Sequence, residues 1–384
     1  MDTLLLNSIS SPIILDKTVK INKLIIQLTG TVDERFISSV FLKNLTIIDS
    51  HIELLKNNCF VDLPLLKSLN FINTTIDVSE DNIFNGLMSL TYLDASQIFQ
   101  NKTLLKEYTF QDMRNLEVLN IFNSALETIE NNAFVGLSKL QQLHLEGNKI
   151  SSINQALFQP LTIKTLNLSR NKLTVVNLTA ITNDLPNLLA LNLSSSSIKI
   201  VQTSNSGSPN TVKYLDLSNN YITNLDSQTF TLFKDLVELH LHSNELSTFG
   251  YETFIYTKNL QKLRLDNNKI SSLRAGVLDG LEQLSFLNIS DNKNLFYENN
   301  LVPFRTLRNL CTFYVDNTSL RRSIIDVTTF RKTFPSLSTI GINNNQFACI
   351  DLLNIMIYLD DCNINYTPYN PKIDVTNLNG LTCI

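Results

Sequence analysis

The sequence predicts an α/β solenoid, with a concave parallel β-sheet and convex loops, 3₁₀ turns and short helices. Three observations predict it. An eleven-residue phrase recurs thirteen times, most clearly as Leu140-x-x-Leu143-x-Leu145-x-x-Asn148-x-Ile150. Its copies begin at Leu42, Leu66, Leu90, Leu116, Leu140, Ile163, Leu188, Val212, Leu236, Leu260, Leu284, Leu310 and Leu337, and seven of the twelve spacings are 24 residues, the others running from 23 to 27. A Phe stands six residues before many of these starts: Phe60, Phe84, Phe110, Phe134, Phe230, Phe254 and Phe304. A fixed period of this length marks a repeat architecture, because one unit cannot bury its own apolar face and stacked neighbours must complete the core.

Each part of the phrase has a physical reading. The fourth and sixth positions alternate with polar residues, as in Leu215-Asp216-Leu217, which gives a short strand with one face inward. Stacked copies then share one parallel sheet. The ninth position is Asn in seven copies: Asn148, Asn171, Asn220, Asn244, Asn268, Asn292 and Asn345. The chain turns inward there, and an amide side chain can both donate to and accept from the backbone of that turn. Ser50, Thr74, Ser124, Ser196 and Thr318 offer a shorter hydroxyl, and Ile98 offers nothing, so a local irregularity is expected at Ile98. On the other side, the Phe is often followed three positions later by Leu, as at Leu63, Leu87, Leu137, Leu281 and Leu307, a step that suits a helical turn or 3₁₀ segment. The bulky Phe fills the wide outer layer.

The run Asn131-Asn132-Ala133-Phe134-x-Gly136-Leu137-x-x-Leu140, followed by Leu143-x-Leu145, resembles the "typical" extracellular class of leucine-rich repeat. That class is found in Toll-like and other secreted or cell-surface receptors, and it differs from the ribonuclease-inhibitor class. The resemblance covers roughly residues 21 to 384 and implies a horseshoe. The expected organisation is an N-terminal cap with a degenerate first repeat over 1–41, a solenoid of thirteen repeats over 42–347 and a C-terminal cap over 348–384.

Composition narrows the function classes. With 31 Lys and Arg against 35 Asp and Glu, the net charge is −4 and only 17% of residues are charged. A nucleic-acid partner is not expected, because the basic stripe it needs is missing. No apolar run approaches the ~20 residues that span a bilayer, so no membrane span is expected. No nucleophile elbow, phosphate-cradling Gly-rich loop or His-Glu-x-x-His motif occurs, so neither an enzyme nor a cofactor is expected. The opening Met1-Asp2-Thr3-Leu4-Leu5-Leu6 lacks a basic n-region and does not read as a signal peptide, so the expectation is either a cytosolic protein or a signal and the front of an N-terminal cap missing from this sequence.

Three of the five cysteines lie in the cap: Cys349, Cys362 and Cys383. Asp351 to Leu359 reads as an amphipathic helix over the last coil, and a Cys349–Cys383 bridge would tie the tail onto it. Reduced thiols in a cytosolic cap are the alternative. Metal binding is not expected there, since no CxxC pair or His accompanies them. Cys362 would be left over, free or bridging two chains. Cys59 reads as a buried thiol before Phe60. The tail from Asn344 to Cys383 is similar to the C-terminal cap of insect leucine-rich-repeat immune proteins, with Phe347 where such caps often carry Trp. Asn-x-Ser/Thr sequons make Asn44, Asn73, Asn101, Asn167, Asn177, Asn192, Asn288, Asn317 and Asn365 glycosylation candidates in an extracellular setting.

The concave face exposes positions three, five, seven and eight. Its most distinctive stretch offers Tyr214, Asp216, Glu238, His240, His242, Lys262, Arg264, Asp266 and Phe286 as binding candidates. His240 and His242 lie two apart on one strand and share a face, where solvated imidazoles are the expectation rather than a metal site. The implied function is a secreted, extracellular recognition protein for a protein or glycoconjugate, which could also dimerise through its concave face or a disulfide. Insect innate immunity or extracellular signalling follows from the resemblance alone. The alternative is a cytosolic scaffold or adaptor. The Ser-rich stretch Gln202–Thr211 is expected to be a convex loop.

Overall fold

The computed structural model describes residues 3–154, 156–204, 208–296, 301–321, 330–366, 377–378 and 381–383. They form two compact units, one of Met1–Val176 with Ala180–Leu191, the other of Asn177–Thr179 with Asn192–Ile384.

Each unit is built on a parallel ladder. In the first, Lys23–Val32 pairs with Asn44–Ile48, and the ladder continues through Ser68–Ile72, Tyr92–Asp94, Val118–Asn120, Gln142–His144 and Thr165–Asn167. The register sets Leu24, Leu45, Leu69, Leu93, Leu119, Leu143 and Leu166 side by side. All seven are completely buried. In the second unit the ladder runs from Tyr214–Asp216 through Glu238–His240, Lys262–Arg264, Phe286–Asn288, Thr312–Tyr314 and Thr339–Gly341 to Asn365–Tyr366. Its buried rung is Leu215, Leu239, Leu263, Leu287, Phe313 and Ile340. The sixth position packs behind the fourth, so Leu217, Leu241 and Leu265 are also fully buried. Period-two alternation therefore separates core from sheet face residue by residue.

The turn that follows has one backbone solution. The eighth position of all thirteen copies has positive φ: Asp49, Asn73, Gln97, Asn123, Gly147, Arg170, Ser195, Asn219, Ser243, Asn267, Asp291, Asn317 and Asn344. Asn, Asp, Ser and Gly dominate because they accept this left-handed conformation most easily. The ninth-position amides then satisfy the backbone around it. Asn244 Nδ2 donates to the carbonyls of Leu217 and Leu241 at 2.9 and 3.1 Å, and its Oδ1 accepts from the amide of Ile222 at 3.0 Å. Asn268 repeats the pattern on Leu241, Leu265 and Leu246, and Asn292 on Leu265, Ile289 and Ile270. Shorter side chains satisfy fewer groups: Thr318 Oγ1 donates to Val315 O at 2.7 Å, while the Ser124 hydroxyl is buried with no partner. The irregularity expected at Ile98 takes the form of a longer turn over residues 96–101, where the next coils straighten after the ninth position. Ile98 is buried, Gln97 keeps the positive φ, and Ala95 and Gln97 still donate to the carbonyls of Asn120 and Phe122.

The outer layer is made of turns bonded from each residue to the third before it, as in Leu137 N to Phe134 O and Leu140 N to Leu137 O. Among the described residues one such turn, Val302–Phe304, closes into a 3₁₀ helix. The phenylalanines stack between coils: Phe84 on Phe110, Phe110 on Phe134 and Phe230 on Phe254, with centroids 5.9, 6.4 and 6.0 Å apart and planes within 19°. Phe158 extends the first stack at 6.2 Å from Phe134, although its coil is one residue short and moves it off the six-residue spacing. The first unit also contains a second parallel ladder past the turn, joining Lys23–Val32, His51–Leu55 and Thr75–Ser79.

Beyond the first coil a strand Thr3–Ile9 adds to Lys23–Val32. At the far end of the second unit, a helix spans Cys349–Asp361, longer at both ends than the sequence suggested, and buries Leu352, Ile355, Met356 and Leu359. Cys349 and Cys383 are disulfide-bonded. The tail is also held by Thr382, whose amide donates to Asn343 Oδ1 at 2.9 Å. Residues 205–207 of the Ser-rich stretch lie outside the described residues. Its remainder is tied down: Asn210 is buried and its amide donates to Leu232 O at 2.9 Å.

The asparagine ladder yields a stability prediction. Asn244→Ala removes one of two asparagine donors from each of the Leu217 and Leu241 carbonyls and strands the Ile222 amide in the core, so it should cost on the order of 1–3 kcal/mol. Leu241→Asp should cost more, since it buries an unpaired charge. Lys269→Ala loses only an exposed pair with Glu245 and should stay within about 0.5 kcal/mol in the same urea titration.

Candidate functional site

Strand register arranges the candidate residues of the second unit in rows. Tyr214, Glu238, Lys262, Phe286 and Thr312 form the third-position row. Asp216, His240, Arg264, Asn288 and Tyr314 form the fifth-position row. His242 and Asp266 lie two residues further along their chains, in the seventh. All nine candidates reach the surface, and Tyr214 is the most open of them, 49% exposed.

The charges are paired within the face. Glu238 Oε1 takes both His240 Nε2 and Lys262 Nζ at 2.6 Å. Asp216 Oδ2 lies 3.7 Å from His240 Nδ1 on the opposite side of the ring. Arg264 grips Asp266 with two hydrogen bonds, at 3.0 and 2.8 Å. Lys262 also sits 5.7 Å from the centre of the Phe286 ring, a cation–π contact. Phe286 in turn meets Tyr314 edge to face at 5.7 Å. Acidic, cationic and aromatic groups thus hold one another in place, which limits the conformational entropy a partner would have to remove on binding.

Their protonation follows from these neighbours. Burial works against the Asp216 carboxylate, yet His240 and the bond from the Ser218 amide outweigh it and hold its pKa below the ordinary value. Glu238 is lowered too, with Lys262 and His240 overcoming its burial. His242 is not the freely solvated imidazole expected of it. Its Nδ1 is buried with no hydrogen-bond partner, and burial, helped by the Arg264 charge, pushes its pKa down. Among the described residues, no group of three or more His, Cys, Asp or Glu is placed to hold a metal ion.

Two further residues complete the face. Tyr314 extends the aromatic edge. Asp316 is buried behind it, with Oδ1 accepting from the Asn343 amide at 2.7 Å and Oδ2 3.2 Å from Ser290 Oγ. Both stand at the same repeat positions one coil beyond the selected stretch, so the row pattern itself would have found them. Gly341 makes room for them, because a Cβ there would come within 2.5 Å of both Tyr314 and Asp316.

The sheet-face sequons also have a structural basis. Asn167, Asn192 and Asn288 accept the amide of the serine two residues on, at 3.1, 3.0 and 3.0 Å. Asp94 and Asp216 make the same bond in coils whose fifth position is not a sequon. The remaining candidates, Asn44, Asn73, Asn101, Asn177, Asn317 and Asn365, are exposed or partly so. Of the unbridged cysteines, Cys59 is buried and its pKa is driven up by burial, Cys311 is exposed and Cys362 is partly exposed. No described helix is long and apolar enough to cross a membrane.

A leucine rich repeat family model matches residues 99–150, 186–246, 210–270 and 234–293. No curated protein sequence matches the chain significantly. Solved structures share its fold. One is TLR13 from a TLR13–ssRNA13 complex, with 18% identity over 92% of this chain and 65% of that one, at a TM-score of 0.67. Another is the Toll–Spatzle complex of Drosophila, described as a hub in development and innate immunity, with 18% identity over 88% and 57% and a TM-score of 0.60. A third is the leucine-rich-repeat domain of APL1, with 20% identity over 94% and 97% and a TM-score of 0.64. The chain therefore spans less than two thirds of the TLR13 and Toll chains. The matched residues carry leucine-rich repeats, and the chain shares the repeat fold of the TLR13, Toll and APL1 structures.

The titrating groups act in separate pH windows. A histidine whose folded pKa is depressed stabilises the fold above its unfolded value and loses that contribution as pH falls below about 6.5. The depressed Asp216 and Glu238 contribute above about pH 4 and lose it only at lower pH. Comparing urea midpoints at pH 7 and pH 5, His242→Gln should lose less stability than the unsubstituted chain. Equal losses would show that His242 does not carry this acid sensitivity.

Proposed function

We propose that this chain is a secreted recognition protein that binds a protein or glycoconjugate through the sheet face of its second unit. The observation that carries this reading is the row of Tyr214, Glu238, Lys262 and Phe286 beside Asp216, His240, Arg264 and Tyr314. Aromatic residues and Arg carry most of the energy of protein interfaces, and here they are fixed on a sheet rather than on loops. Solvent reaches all of them. The Cys349–Cys383 bridge supports an oxidising compartment. The repeat domains of similar fold come from Toll–Spatzle and APL1, which supports a place in innate immunity or extracellular signalling.

In this reading Tyr214 and Phe286 are the anchors and Arg264 supplies planar hydrogen bonding. Tyr214→Ala, Arg264→Ala and Phe286→Ala should each weaken capture of the native partner by about tenfold or more, with the melting temperature little changed. Retention of the same partner by all three variants would place the binding surface elsewhere. Non-reducing peptide mapping of native material tests the compartment separately: an oxidised Cys349–Cys383 pair is expected, and free thiols at both would favour a cytosolic scaffold.

A further inference from the structure

We propose that the sheet face of the first unit is a second binding site, built around Tyr92 and Asn120 for an uncharged glycan. Its chemistry differs from that of the second unit. In the six coils that begin at Leu42, Leu66, Leu90, Leu116, Leu140 and Ile163, no third-, fifth- or seventh-position residue is Lys or Arg. Arg170 stands at the eighth position, two coils beyond Asn120. The same three rows carry two carboxylates, Asp94 and Glu146. Asp94 Oδ1 accepts from the Ser96 amide at 3.0 Å, and Glu146 Oε2 is buried 3.7 Å from His144 Nδ1. A sulfated, sialylated or phosphorylated ligand would meet these carboxylates with no cation in the rows to offset them.

Tyr92 and Asn120 supply the contact. Register places Asp94 and His144 on either side of Asn120, and Tyr92 and Gln142 on either side of Val118. Asn120 Nδ2 donates to the Tyr92 hydroxyl at 3.0 Å. The Tyr92 ring therefore leans toward the next coil, and it stays partly exposed. Its hydroxyl keeps its proton, because burial and the Asp94 charge raise its pKa. That proton is left to donate. Asn120 Oδ1 is left to accept, since no hydrogen bond reaches it among the described residues. Gln142 Oε1 lies 3.5 Å from His144 Nε2, which leaves the exposed Gln142 Nε2 as a second donor.

This set fits a sugar better than a polypeptide. A sugar hydroxyl donates and accepts at one oxygen, and Tyr92 and Asn120 hold a free donor and a free acceptor side by side. The C–H face of a pyranose ring complements the negative face of the tyrosine ring. Protein interfaces draw most of their energy from Trp, Tyr and Arg, and these rows contain one Tyr, no Trp and no Arg. An extended peptide that adds to a sheet needs an open strand edge, but Val118–Asn120 is paired on both sides. The Tyr92–Asn120 bond already exists in the empty face, so little order remains to be imposed on binding.

The test uses the full chain on an array of neutral, sulfated and sialylated oligosaccharides, followed by isothermal titration with the neutral oligosaccharide best retained. Saturable binding of neutral members is expected, with the anionic members left unbound. Tyr92→Ala and Asn120→Ala should each weaken that binding by about tenfold or more. Tyr92→Phe keeps the ring and loses only the hydroxyl, and should weaken it by roughly three- to tenfold. Tyr214→Ala should leave it unchanged. No saturable binding of any neutral member, or equal retention of the anionic ones, would overturn the proposal. So would an unchanged affinity in Tyr92→Ala, or a loss in Tyr214→Ala, which would move the glycan to the second unit. A chain that binds no glycan but captures a protein through Tyr92 would make this face a protein interface instead.

Discussion

The structure depends on how each coil disposes of its buried backbone after the strand. Every repeat turns inward at a residue of positive φ, and the turn leaves carbonyls and amides facing a leucine core whose side chains offer them no hydrogen bond. The ninth-position asparagine resolves this with one side chain, donating to its own coil and the preceding one and accepting from the preceding one. Because its partners lie in two coils, the amide fixes their relative register as well as their polarity. Leucine packing alone would allow coils to slide; the amide bonds do not. Where a hydroxyl substitutes, fewer groups are met, as at Ser124. Where Ile98 substitutes, the coil is held by its ladder and its apolar contacts instead.

This constraint frees the other face. Once positions four, six and nine hold the coil, positions three, five and seven carry no requirement beyond standing on a strand, apart from the carboxylate or amide at position five that caps the next turn. Position five is therefore structural and functional together: Asp216 caps Ser218 while it faces His240. The sequon asparagines make the same cap, so an Asn-x-Ser triplet on this face is a product of turn chemistry before it is a signal for modification.

Much of the fold was legible because its determinants are periodic. The buried rungs, the asparagine ladder, the Phe stack and the row membership of Tyr214, Glu238, Lys262 and Phe286 all follow from counting. Most of the misses share a physical cause, since they arise from contacts between coils rather than from the phrase within one. Phe158 left the count because its coil is one residue shorter, yet the stack pulls its ring into line. The second ladder of the first unit was hidden because His51-Ile52-Glu53-Leu54-Leu55 becomes a strand only with Lys23–Val32 and Thr75–Ser79 on either side. His242 was read as solvated from its position, but one of its ring nitrogens is buried without a hydrogen-bond partner. Tyr314 and Asp316 fell outside a boundary drawn by composition.

The same separation explains why a shared fold says little about the partner. Between this chain and the repeat domains of TLR13, Toll and APL1, about one residue in five is identical. The phrase described above fixes only a few positions per coil, so conservation of that framework accounts for a likeness of this size without any common sheet-face residue. Recognition is written in the rows, and in this chain the rows are internally neutralised: Glu238 holds both Lys262 and His240, and Arg264 holds Asp266. A partner that relied on a bare charge would have to break one of these pairs and leave its other, partly covered member unmatched. A partner that packs on Tyr214, Phe286 and Tyr314, and uses the already oriented polar groups at their edges, meets no such cost. The face is therefore better suited to shape and aromatic contact than to electrostatic capture, in keeping with a chain of nearly balanced charge.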